Sequence, residues 1–168
     1  MIIKTGRSGL AARAGHDLTI EITGWSVRVI IPDDGVAAAQ ITAELDLGSL
    51  AVREGTGGAK PLTDKDRGDI ANTARTILRQ PAAAFTSTRV VPAGASGGAI
   101  DGTLTLNGRS QPVRLQVTSP APGRYRGGTT VRQTDFGITP YTGFFGALKL
   151  RDEIGIEFEM DLDRAARE

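Results

Sequence analysis

The sequence predicts an all-β protein, an antiparallel barrel of eight strands closed on itself with one α-helix, and three observations lead there. Glycine supplies 22 of 168 residues, about twice the usual ~7% share, which suits short turns between strands more than helices. Apolar and polar residues alternate along seven or eight segments, the period of a half-buried strand. The inward candidates on those segments are modest in size: Ile20, Ala43, Leu104, Val113 and Ile156. Alternating strands bury a face either by packing two sheets or by closing. A closed eight-stranded barrel lined by such residues has room for one small ligand.

The elements follow in order. In HDLTIEITGWSVRVII, residues 16–31, Leu18, Ile20 and Ile22 share one face, and after Gly24 the phase flips to Trp25, Val27, Val29 and Ile31. A bulge at Gly24 keeps both sets inward. Pro32-Asp33-Asp34-Gly35 is a turn, and Ile41, Ala43, Leu45 and Leu47 continue as a second strand, making a hairpin. SLAVREGTGGAKPL, residues 49–62, reads as a long glycine-rich connection leading to a helix over 63–80. Thr63 and Asp66 fit a capping box, and Asp64, Asp66 and Asp69 suit the positive helix start. Pro81 ends the helix, and Ile70, Ala74, Ile77 and Leu78 form its apolar stripe. Loop and helix together read as a lid-like insertion. Further strands are expected over 84–91, 99–106, 111–118 and 125–133, with Asn107-Gly108 as a hairpin turn. A last long strand is expected over 148–162.

Composition excludes several functions. The 20 basic and 19 acidic residues leave a net charge of +1, no field to gather nucleic acid. There is no cysteine and one histidine, so disulfides, thiolate nucleophiles and zinc–cysteine sites are absent, and no cofactor or metal is expected. GTGGAKPLT at 55–63 fails as a phosphate loop, because Pro61 stands where a magnesium-binding hydroxyl is needed. DKDRGD at 64–69 fails as a calcium loop, with Asp69 where glycine is required. His16 and Asp17 are adjacent and, on a strand, point to opposite faces; no nucleophile elbow accompanies them. No apolar run approaches the ~18 to 20 residues that cross a bilayer, so no integral membrane segment is expected. The chain is expected to be soluble and cytoplasmic, or periplasmic or secreted if a leader has been removed.

QTDFGITPYTGFFGALKLRDE, residues 133–153, is the unusual stretch. Of eight aromatic residues in the chain, Phe136, Tyr141, Phe144 and Phe145 fall here, separated by Gly137, Pro140 and Gly143. Plain core at a barrel end would account for two of them. Four on a glycine-broken backbone suit a segment that lines or gates an apolar cavity.

Four blocks in this order resemble the YceI-like family over nearly the full chain: GHDLTIEITGW (15–25), GSLAVREGTGGAKPLTDKDRGDI (48–70), IDGTLTLNGRSQPV (100–113) and DFGITPYTGFFGALKLRDE (135–153). The resemblance implies a single extended lipocalin-like antiparallel barrel over 1–168 with a polyisoprenoid or other long amphiphilic lipid in its lumen. Phe136, Tyr141, Phe144 and Phe145 would then face the ligand, with Leu148, Trp25, Ile20, Phe85, Leu104 and Phe158 completing the wall. His16, Arg151 and Asp152 are the polar candidates for a head group. The expected role is non-catalytic binding, transport or sequestration. An enzyme acting on such a lipid and a filled barrel serving as an interaction scaffold are the alternatives, and pairing into a homodimer stays open.

Overall fold

The computed structural model describes residues 1–162. Eleven strands and one α-helix follow in chain order: β1 Ile2–Lys4, β2 Arg7–Ser8, β3 His16–Ile30, β4 Gln40–Gly57, α1 Asp64–Ile77, β5 Ala82–Pro92, β6 Gly97–Leu106, β7 Arg109–Ala121, β8 Arg124–Arg132, β9 Thr142–Gly143, β10 Leu148–Leu150 and β11 Glu153–Asp161. Eight of them close a barrel in the order β1-β11-β8-β7-β6-β5-β4-β3, and β2-β10-β9 form a small separate sheet. The all-β barrel with one helix is the fold expected from the alternation.

Closure depends on a strand the alternation does not reveal. Three residues, Ile2, Ile3 and Lys4, pair with β11 on one side and β3 on the other, and Ile3 stands opposite both Ile156 and Ile20. The β3–β4 register shifts between Ile22 and Gly24. There the Gly24 amide donates to Ser49 Oγ at 2.8 Å, and the Ser49 hydroxyl donates to the Asp46 carbonyl at 2.6 Å. Leu47, Gly48 and Ser49 of β4 stand opposite Thr23 alone, and such an irregularity lets the inward-facing phase change along the strand. Both apolar sets of the strand therefore reach the interior.

Three boundaries differ from the sequence reading. β4 runs on to Gly57, so most of the expected 49–62 connection is strand: Leu50 pairs with Ile22 and Val52 with Ile20, and both are buried. Tertiary pairing overrides a glycine-rich composition here, and α1 packs on β4. The helix also stops at Ile77, before Pro81. Leu78 turns extended, and the Arg79 amide leaves the helical ladder for Asn107 Oδ1 at 3.0 Å. The third difference is the last strand, which divides into β10 and β11 at Arg151 and Asp152. The Asp152 carbonyl accepts the Gln133 amide at 2.9 Å, and its carboxylate accepts from Thr134, fastening the chain where it passes from the small sheet into the barrel.

The capping box at the start of α1 forms as expected, the Asp66 amide donating to Thr63 Oγ1 and the Thr63 amide to Asp66 Oδ2. Arg75 ties the helix to β4, Nε donating to the Gly48 carbonyl at 3.1 Å and Nη2 to the Leu50 carbonyl at 2.8 Å. Among the described residues no helix is long and apolar enough to cross a membrane.

Candidate functional site

The inward faces of the barrel strands enclose a cavity of about 540 Å³, within the range of roughly 300 to 1,000 Å³ typical of ligand pockets. From β3 come Ile20, Ile22, Trp25, Val27 and Val29, from β5 Phe85, from β6 Leu104, and from β11 Ile154, Ile156, Phe158 and Met160. Ala74, Ile77 and Leu78 of α1 also line it, so the helix stripe covers one end. Ile31 and Val36, in the β3–β4 connection, line the cavity while 56% and 54% exposed. The cavity therefore reaches solvent beside that hairpin.

No Asp, Glu, Lys, Arg or His is among the described residues that line it. Its polar side chains are few: Thr5, Ser119, Tyr125, Thr129, Gln133 and Tyr141. Among the described residues, no three His, Cys, Asp or Glu side chains converge as metal ligands would.

Glycines shape part of the wall. Gly127 and Phe158 are directly opposed on β8 and β11. The Phe85 ring likewise lies over Gly102 of β6. Each glycine makes room for a ring that would otherwise be pushed into the lumen.

The residues singled out from the sequence divide into three groups. Ile20, Trp25, Phe85, Leu104, Phe158 and Tyr141 line the cavity. Phe136 and Leu148 are packed outside it. Phe136, wholly buried, sits in the hydrophobic core at the end of β8 with its carbonyl accepting from Asn107 Nδ2 at 3.2 Å, and Leu148 lies on Gly15. Phe144 and Phe145 project outward, 63% and fully exposed. Their φ angles of 50° and 55° place both in the left-handed region, which costs an L-residue roughly 1 to 2 kcal/mol each. That tight turn, closed by the Ala147 amide donating to the Phe144 carbonyl at 3.1 Å, aims the two rings away from the barrel.

The polar candidates are engaged elsewhere. His16 Nε2 lies 2.8 Å from the Lys60 carbonyl, with its ring against Gly58, and fixes the link between β4 and α1. Asp152 holds Thr134, whose hydroxyl and then amide keep its carboxyl below the usual carboxylate range. Arg151 lines a shallow polar recess with Arg7, Arg13 and Asp17, and its Nε donates to the Arg7 carbonyl at 3.2 Å. Thr5 is common to this recess and the cavity. The sequence places Ile77 in the helix stripe and Val113 on an inward strand face without naming either as a ligand contact, and both line the cavity; Ile3 of β1 also lines it, and three residues are too few for alternation to reveal that strand.

A closed antiparallel barrel around an apolar cavity defines a class of fold consistent with binding a hydrophobic ligand. The chain matches the YceI-like domain over residues 3–162 and belongs to that family. It is similar to the crystal structure of Burkholderia cenocepacia BcnA, at 20% identity over 94% of this chain and 93% of that one, with a TM-score of 0.62. It is also similar to that of the Campylobacter jejuni YCEI protein, at 14% identity over 84% and 82%, with a TM-score of 0.57. At these identities the likeness speaks for the fold. No curated protein matches the sequence.

Proposed function

We propose that the protein binds a long apolar amphiphile, a polyisoprenoid or other lipid, inside the barrel and carries or sequesters it without chemical turnover. The observation that carries this reading is the wall itself: a cavity of about 540 Å³ lined mostly by aliphatic and aromatic side chains, with no charged side chain among its described lining residues. Burying hydrocarbon there is worth about 25 cal/mol per Å² and needs no directional partner. General acid–base or covalent catalysis would need a titratable or nucleophilic group within reach of the bound molecule. The hydroxyls of Thr5, Ser119, Tyr125, Thr129 and Tyr141 and the Gln133 amide suit orienting a ligand, and the described wall holds no Asp, Glu, His or Lys side chain to act as their base.

Trp25, the only tryptophan, lines the cavity and reports on its contents. Titration with a fluorescent long-chain fatty probe should quench Trp25 by energy transfer and saturate at one probe per chain. Native mass spectrometry of protein from its own host should show a co-purifying lipid that the probe displaces. Failure of a panel of long-chain probes to reach Trp25, in protein freed of lipid and still folded, would refute the reading.

A further inference from the structure

The rings of Phe144 and Phe145 contribute nothing to the cavity wall, yet the backbone holds both of them in solvent. In the small sheet, Ser8 pairs with Lys149 and Gly143 with Leu148. This register puts the turn after β2 and the turn between β9 and β10 at the same end. The Ala11 amide donating to the Ala147 carbonyl at 2.9 Å joins the two turns. The first turn presents Leu10, fully exposed, and the second presents Phe144 and Phe145. Three large apolar side chains thus stand on two linked turns.

The two segments that carry them hold charge of one sign. Residues 6–14 and 139–151, which carry the sheet and both turns, contain Arg7, Arg13, Lys149 and Arg151 and no Asp or Glu. Arg13, Lys149 and Arg151 are exposed. Two acids border this region: Asp17, which pairs with Arg7 at 3.8 Å, and Asp152, next to Arg151, whose carboxylate accepts from Thr134. The chain as a whole is nearly neutral, at +1, so this end is a local basic concentration.

We propose that this end of the small sheet docks on an anionic lipid bilayer, with Leu10, Phe144 and Phe145 inserted at the headgroup boundary and Arg13 and Lys149 against lipid phosphates. Apolar side chains ringed by Lys and Arg have the composition of a peripheral membrane anchor. Charge complementarity selects an anionic surface over a protein partner with an apolar groove. Tyr141, three residues before Phe144, is 42% exposed and lines the cavity, so the docked tip is continuous with the cavity wall. The inference does not depend on what the cavity holds.

Co-sedimentation with phosphatidylcholine vesicles, with and without phosphatidylglycerol, tests it. Wild type should partition onto the anionic vesicles and be released by high salt. F144S/F145S and R13E/K149E should each lower that partitioning about tenfold or more, with circular dichroism and probe quenching of Trp25 unchanged. Retention of wild-type partitioning by folded F144S/F145S would overturn the proposal. So would absence of wild-type binding to anionic vesicles, or salt-resistant binding equal on both compositions. If the tip instead holds a second copy, sedimentation velocity will show a dimer that F144S/F145S abolishes while neither protein binds vesicles, and the proposal falls.

Discussion

Phe158 lies across Gly127 so closely that a β-carbon at Gly127 would fall 2.5 Å from the ring's Cζ and 2.6 Å from the Gln116 carbonyl oxygen. The ring could turn away only into the lumen, and the carbonyl belongs to the β7 backbone paired with β8. Gly127→Ala should therefore both strain the sheet and reduce the cavity. We expect a loss of about 1 to 3 kcal/mol, the usual cost of overpacking, together with weaker binding of a long-chain probe. Unchanged melting and unchanged affinity would show that Gly127 is not needed as a seat for the ring.

The two groups of phenylalanines give opposite expectations. Phe158 is in the cavity wall, and Phe158→Ala removes apolar contact worth about 1.5 to 3 kcal/mol, or roughly a ten- to hundred-fold rise in Kd for a bound chain. Phe144→Ala and Phe145→Ala should leave probe affinity within about twofold, since an exposed ring that does not touch the ligand contributes little to its binding. Titration of Trp25 quenching in the three variants makes the comparison. A large loss in the exposed pair with none in Phe158→Ala would reverse the assignment of the wall.

The helix stripe tests how the end of the barrel is closed. Ile77 is part-buried, packs on the core and lines the cavity. Ile77→Ala should cost about 2 kcal/mol, the low end for such truncations, because the site already borders empty volume. The same change enlarges the lumen and should favour bulkier probes over slim ones. Chemical denaturation with a loss under about 0.5 kcal/mol, the range of surface changes, would mean that the stripe does not pack as described.

Much of this was legible in the sequence, for identifiable reasons. The phase flip at Gly24 announced the bulge because a strand's two-residue period makes any inserted residue visible. Asn107-Gly108 and Thr63 to Asp66 carry local chemistry that tertiary structure had no reason to override, and Asn107 and Gly108 both take positive φ. β1 was invisible because three residues are too few to show alternation. The break at Asp152 was hidden because Leu148, Leu150, Ile154 and Ile156 keep one phase across it. Counting aromatics could not separate Phe136, a core plug, from Phe144, an exposed ring. That separation comes from two successive left-handed residues of a kind that rarely adopts that conformation.

Two carboxylates make the fold acid-sensitive in a defined direction. Asp66 is held below the usual carboxylate range by the Thr63 hydroxyl and amide at the start of α1, and Asp152 by the Thr134 hydroxyl and amide between the small sheet and β11. A carboxylate whose folded pKa is depressed binds its proton more readily in the unfolded chain. Its contribution is complete above the unfolded value near ~4 and is lost as pH falls through the folded one. Both sites are exposed, so each contribution is small and weakened by salt. The melting temperature of wild type should fall as pH drops below ~4, and D66N/D152N, which cannot ionise at these positions, should start lower at neutral pH and fall less steeply. Thermal melts of the two proteins across that range, at low and high salt, measure the difference in slope. Parallel curves at low salt would mean that these two carboxylates do not contribute to the acid response.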